Sequence, residues 1–192
     1  MGGNGGSPMD LANMLKPALD RGDIKVIGAT TTDEYNTYVI RDRAFLRRFE
    51  RIDILEPSEA TTVDILFGSL PRMEKQTGIR MKYNDYVNRL LLESIVKATS
   101  EFKRVYGLSA MYPDIAFSVL SGAFSNALFD NKKAVDVLDV YNAIRTSKRI
   151  YPDSIVKELS AFREKFKDFC TEEGIELPIV TINDIEPLYE IS

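Results

Sequence analysis

Three groups of residues have the types and spacing to do chemistry. Thr30-Thr31-Thr32 follows the short apolar run Lys25–Ala29, KVIGA. If that run is a buried strand, the hydroxyls stand beyond a strand's carboxyl end, where open α/β sheets bind ligands and where a hydroxyl suits a phosphate or an attacking water. Followed by Asp33 and Glu34, the same threonines also read as a strand-end turn and a helix N-cap. The segment from Arg41 to Arg51 holds five arginines against Asp42 and Glu50, a local excess of +3 in an acidic chain. Guanidinium forks recognise phosphate and carboxylate. The alternative is a solvated helix face carrying Arg43, Arg47 and Arg51, with Phe45 and Phe49 on another. The third group, four glycines in residues 1–6, is the weakest signal. A phosphate cradle sets its glycines between strand and helix with a Lys following, and no GxxxxGK[ST] occurs in these 192 residues.

What is missing narrows the chemistry further. The chain has no His, which removes imidazole bases, Ser-His-Asp triads and His-based metal sites. Cys170 is the single cysteine, so CxxC pairs, thiolate zinc clusters and internal disulfides are excluded. One thiol without a disulfide framework fits a reducing, cytoplasmic compartment, where Cys170 is expected to be a small, partly buried hydrophobe. A net charge of −4 argues against a basic nucleic-acid coat. No apolar run approaches the 18 residues of a membrane span. The first residues lack the charged and apolar regions of a signal peptide, and Gly6 breaks the myristoylation pattern.

The elements that must position these residues can be read from periodicity and punctuation. Ser7, Pro8 and Asp10 predict a helix start, and the helix runs to about Asp20 and stops near Gly22, with Pro17 shortening or kinking it. Lys25–Ala29 and Ile52–Leu55 read as strands, with Asp33 and Glu34 opening a helix between them. Two strands alone cannot form a covered parallel sheet, so sheet partners are missing. After Glu56-Pro-Ser58 the pattern turns helical. Ser58 caps a helix to Gly78 that Pro71 bends, and Asn84 caps a second helix from Asp85 to about Phe102. A loop is expected over 104–110, then a helix with Pro113 at its first position, running from Ile115 to Phe129. A short strand over Lys132–Val135, a helix over Asp136–Ser147, one over Pro152–Glu173 ending at Gly174, and an extended stretch from Leu177 to Ile182 complete the chain. The fold class is therefore an α/β piece followed by a mainly helical remainder, divided as 1–56, 57–150 and a C-terminal extension over 151–192.

Met9–Asp23, the IGATT of Ile27–Thr31, Asp33-Glu-Tyr35, Leu46-Arg-Arg-Phe49 and Glu56-Pro-Ser58, taken in order, closely resemble the first ATPase module of ClpB- and ClpA-type AAA+ unfoldases. The match covers about Gly2 to Ser58 and continues loosely to Gly78. The resemblance implies that residues 1–56 are the C-terminal part of the AAA+ large subdomain and that 57–150 are the helical lid. It implies that Gly2–Pro8 are the remnant of a pore loop. It also places the Walker A and Walker B segments before Met1 and a second ATPase module, faintly echoed by Val180–Ile185, after Ser192. Thr31 matches the sensor-1 residue, which helps orient the attacking water, and Thr30 is its strand neighbour. Arg47 and Arg48 match the trans-acting arginine fingers. Of the family's Leu-Pro-Asp-Lys-Ala pattern near the adenine, Tyr112–Ala116 keeps only Pro113, Asp114 and Ala116, with Ile115 replacing the Lys.

The function so implied is a part in an ATP-driven protein unfoldase or disaggregase chaperone. The cofactor is ATP, with Mg2+ held by residues not in this chain. The partners are neighbouring subunits of a homo-hexameric ring, unfolded polypeptide clients and, in some members, a peptidase; neither nucleic acid nor membrane is among them. The isolated piece is expected to be inactive in ATP hydrolysis. The alternative is a non-catalytic AAA+-derived interaction module or adaptor.

Overall fold

The computed structural model describes residues 17–22, 24–41, 43–105 and 111–184. The chain divides into two compact units, Met1–Ile54 and Leu55–Ser192.

The second unit is built from helices whose ends are set by their own sequences. Helix α1 (Glu59–Thr77) begins where the Ser58 hydroxyl accepts the Thr61 N–H at 3.1 Å, and it ends on Gly78 at φ 73°. Only glycine adopts that left-handed turn without a Cβ penalty. Pro71 lies inside α1, which nevertheless continues to Thr77. Helix α2 (Asp85–Val105) is capped by Asn84, whose side chain accepts the Val87 N–H at 3.0 Å. It outlasts its expected end at Phe102. Pro113, preceded by a cis Tyr112–Pro113 peptide, is the N-cap of helix α3 (Asp114–Phe129) and stands just outside it rather than at its first position. Residues 106–110 of the expected loop lie outside the described residues.

Between these helices runs a minimal parallel sheet. Strand β1 (Arg80–Met81) pairs with β2 (Ala134–Val135) in the register Arg80↔Ala134 and Met81↔Val135. Parallel strands need a long crossover, which α2 and α3 provide. The strand expected over Lys132–Val135 is therefore present in shortened form. Helix α4 (Val137–Thr146) opens with a reciprocal capping box between Asp136 and Asp139. The single helix expected over 152–173 is two, α5 (Pro152–Lys165) and α6 (Lys167–Glu173), separated at Phe166 with φ −106°. Burying Phe166 against Phe162, with ring centroids 4.6 Å apart, turns the chain there, so packing overrides the periodicity. Gly174, at φ 65°, stops α6 as expected.

Leu66, Leu91, Ile115, Leu120, Tyr141 and Leu159 are fully buried together, so the helices after residue 150 share one core with those before it. Residues 152–173 are thus part of the same unit as helices α1–α4. The final stretch makes no strand among the described residues. Leu177 and Val180 are buried, and the Tyr141 hydroxyl donates to the Pro178 carbonyl at 2.6 Å. Cys170 is free and only 6% exposed, and burial raises its thiol above the usual range. At the start of α4, Lys132 Nζ lies 2.9 Å from Asp139, 3.1 Å from Asp136 and 4.0 Å from Asp130. The Asp139 side chain is 2% exposed, and burial is the main cause that raises its carboxyl.

The first unit differs more from expectation. Residues 17–20 are helical and Gly22, at φ 71°, follows them; the rest of the helix expected from Pro8 lies outside the described residues. Strands do not form over Lys25–Ala29 or Ile52–Leu55, and neither segment has regular secondary structure. Ile27 is fully exposed and Ile54 nearly so. A strand is stable only when neighbours pair its backbone and cover its side chains, and these residues supply no such neighbours. The helix opened by Asp33 and Glu34 is a turn of α-helix over Thr32–Glu34 continued by a wider π turn over Tyr35–Val39. The arginine-rich helix ends early, at Leu46.

Candidate functional site

Thr31 is the N-cap of the Thr32–Glu34 turn. Its hydroxyl accepts the Glu34 N–H at 3.2 Å, and the Glu34 carboxylate reaches back to the Thr31 N–H at 3.4 Å. Thr30 donates its hydroxyl to the same carboxylate at 2.7 Å, and this bond is the main cause that holds the Glu34 carboxyl below its usual range. The two threonines and Glu34 therefore form one exposed hydroxyl–carboxylate knot. The Ser/Thr-x-x-Glu spacing that builds a capping box was legible at Thr31 and Glu34. The contact from Thr30 was not. Thr31→Val removes the cap acceptor and is expected to loosen this turn by about 1 kcal/mol, read as faster amide exchange at Asp33 and Glu34.

Arg47 and Arg48 follow the Arg43–Leu46 helix in a turn, and their surroundings differ. Arg48 grips Asp20 with both arms of its fork: Nε donates to Oδ1, and Nη2 donates to Oδ2 at 2.8 Å. This hydrogen bond is the main cause that lowers the Asp20 carboxyl. Arg47 is exposed and makes no ion pair among the described residues. Arg51 is engaged by Asp53 at 2.6 Å and lies over the Tyr35 ring, 4.5 Å from its centroid. The face proposed for Arg43, Arg47 and Arg51 therefore does not exist as a helix face. The Asp20–Arg48 pair escaped sequence reasoning because its members lie 28 positions apart with no local pattern to join them.

In the second unit, Pro113 is half-buried, Asp114 is exposed in the first turn of α3, and Ile115 is completely buried in the core. Ile115 has no free face for a nucleotide base; the apolar residue found in place of the resemblance's Lys serves packing here. The backbone before α3 is held by Glu56, whose Oε1 accepts the Met111 N–H at 2.9 Å and the Tyr112 N–H at 2.8 Å. The Tyr112 hydroxyl donates to the Val96 carbonyl at 2.9 Å. No group of three or more Cys, Asp or Glu side chains arranged to hold a metal is found among the described residues. No helix among them is long and apolar enough to cross a membrane.

Over most of its length the chain is homologous to Clp/Hsp100-type AAA+ chaperones. It is 32% identical over 172 residues to the chaperone protein ClpB of Corynebacterium efficiens, covering 89% of this chain and 19% of that protein. It is 34% identical over 140 residues to heat shock protein 100 of Trypanosoma brucei brucei, covering 71% of this chain and 15% of that protein. With the ATP-dependent Clp protease ATP-binding subunit ClpL of Staphylococcus aureus it shares 31% identity over 185 residues, 91% of this chain and 24% of that one. A closed-state cryo-EM reconstruction of Hsp104 with ATPγS and FITC casein matches 91% of this chain and 32% of that one, with a TM-score of 0.57 and 26% identity. No family model matches. The chain thus spans between about a seventh and a quarter of the length of these curated relatives.

Proposed function

We propose that this chain contributes Thr31, Arg47 and Arg48 to an ATP-driven Clp-type unfoldase or disaggregase that works as a ring of identical subunits on unfolded polypeptides. The observation that carries this reading is the homology to ClpB and ClpL across both units, together with an exposed Arg47 beside Arg48. ATP supplies the transferable phosphoryl group. The residues here fit the receiving side of such a site, since Arg47 offers an exposed guanidinium to the phosphates of a neighbouring subunit. They do not fit the cradle, since no GxxxxGK[ST] is present. Mg2+ and the phosphate loop then belong to residues outside this chain. Thr31, once its strand is paired, orients the attacking water; Thr30, Pro113 and Asp114 border the nucleotide. A peptidase is a partner where the assembly degrades what it unfolds.

The missing cradle favours a second reading, a non-catalytic interaction module that joins another ring through the arginine turn and the helical unit. A single measurement separates the roles of the piece and the whole. The purified 192-residue chain is expected to show no saturable ATP turnover, measured by phosphate release with Mg2+ present. Saturable hydrolysis by this chain sinks both readings. Stimulation of a Clp-type ring by the added chain favours the adaptor.

A further inference from the structure

We propose that Asp20 is an intramolecular competitor for phosphate on Arg48, so that the arginine pair offers one open guanidinium and one that an incoming anion must first free. This inference rests on the arginine reading given above and adds to it a residue that gates the site. Asp20 presents two coplanar oxygens to Nε and Nη2 of Arg48, the edge by which a guanidinium takes two oxygens of a phosphate. The carboxylate thus fills the donor pair a phosphate needs. Arg47, next in sequence, is exposed and has no ion pair among the described residues. Two of the three guanidiniums Arg47, Arg48 and Arg51 carry a carboxylate, and the partner of Arg51 is its near neighbour Asp53.

The position of Asp20 supports the same conclusion. It closes a helical stretch that Gly22 terminates, and a carboxylate at a helix C-terminus is repelled by the unpaired carbonyls there. Local helix chemistry therefore does not explain an acid at this position, whereas the guanidinium across from it does. The pair is also displaceable. The Asp20 side chain is 52% exposed and that of Arg48 25%, so water screens the attraction, and a polyanion carrying several charges displaces a single carboxylate.

The test uses the whole 192-residue chain and inorganic tripolyphosphate as the probe, with binding followed by calorimetry and by the arginine Nε–H resonances. Asp20→Asn, and independently Asp20→Ala, are expected to bind tripolyphosphate about five-fold more tightly than the unaltered chain, a factor of the size an exposed ion pair commands. The gain is expected to vanish when Arg48→Gln is combined with either. Asp53→Asn, which frees Arg51 instead, is not expected to reproduce it. Unchanged or weaker binding by both Asp20 variants overturns the proposal, and so does an equal gain in the Arg48→Gln background, which would mark a general charge effect. If Arg47→Gln and Arg48→Gln both weaken binding while the Asp20 variants change nothing, only the competitor role falls. If neither arginine variant alters binding, the pair does not receive the probe and the competitor proposal is overturned, whereas the arginine-finger reading stands or falls on turnover.

Discussion

In the ATP-hydrolysing ring proposed above, turnover is expected to fall by about 10³-fold or more when Arg47 and Arg48 are both replaced by Ala, with nucleotide affinity little changed. In phosphoryl transfer, charge spreads over the equatorial oxygens only as the bond to the leaving group loosens. A guanidinium that meets those oxygens stabilises the transition state far more than bound ATP. A 10³-fold loss corresponds to about 4 kcal/mol of that stabilisation. The surroundings of the two residues also predict how the singles divide the loss. Arg47 is exposed and has no ion pair among the described residues, whereas Arg48 begins engaged with Asp20, so Arg47→Ala alone is expected to account for most of the effect. Steady-state phosphate release set beside equilibrium nucleotide binding checks this. Unchanged turnover in the double variant removes the finger assignment.

The second large effect is one of stability. Lys132→Met is expected to cost about 2 kcal/mol at pH 7, read as a lower urea midpoint. Lys132 holds the carboxylates of Asp139 and Asp136. Its removal leaves Asp139, almost wholly enclosed, with a charge that no other cation among the described residues pairs with. The loss stays below the 3–5 kcal/mol typical of a fully enclosed pair because the Lys132 side chain is 28% exposed. The pH dependence has a definite sign. The Asp139 carboxyl is raised in the folded protein by burial, and without Lys132 it rises further. A folded state that holds a proton more tightly than the unfolded one gains stability as pH falls through the raised value. The deficit of the variant is therefore widest at neutral pH and narrows towards the carboxyl's ordinary 3.8. A deficit that widens on acidification contradicts this account. Asp139→Asn combined with Lys132→Met is expected to recover part of the loss.

The parts of the fold that could be read ahead are those fixed by neighbours in sequence. Ser58, Asn84, Gly78 and Gly174 mark helix ends by chemistry that acts within four residues, and each appears where expected. Periodicity failed where distant packing decided, as at Phe166, where burial of one ring breaks a helix that the apolar spacing runs straight through. It failed differently over Lys25–Ala29. The run has a strand's composition, but a strand is a property of the pair, and composition cannot supply the partner. The site shows the same division. The Thr31 cap follows from the local Thr-x-x-Glu spacing. The grip of Asp20 on Arg48, and that of Glu56 on the amides before α3, join residues 28 and 55 or more positions apart, and only the folded chain brings them together.

The enclosed Cys170 turns the helical unit into its own gauge. It is the chain's only thiol, so an aromatic disulfide reagent added to the native protein has one target, reached only when the surrounding helices part. With closing fast and reagent dilute, the labelling rate divided by that of the unfolded chain gives the equilibrium for this opening, with no denaturant to extrapolate from. The absence of any other cysteine, which at first only removed chemistry, makes that colour change specific to a single event in the core.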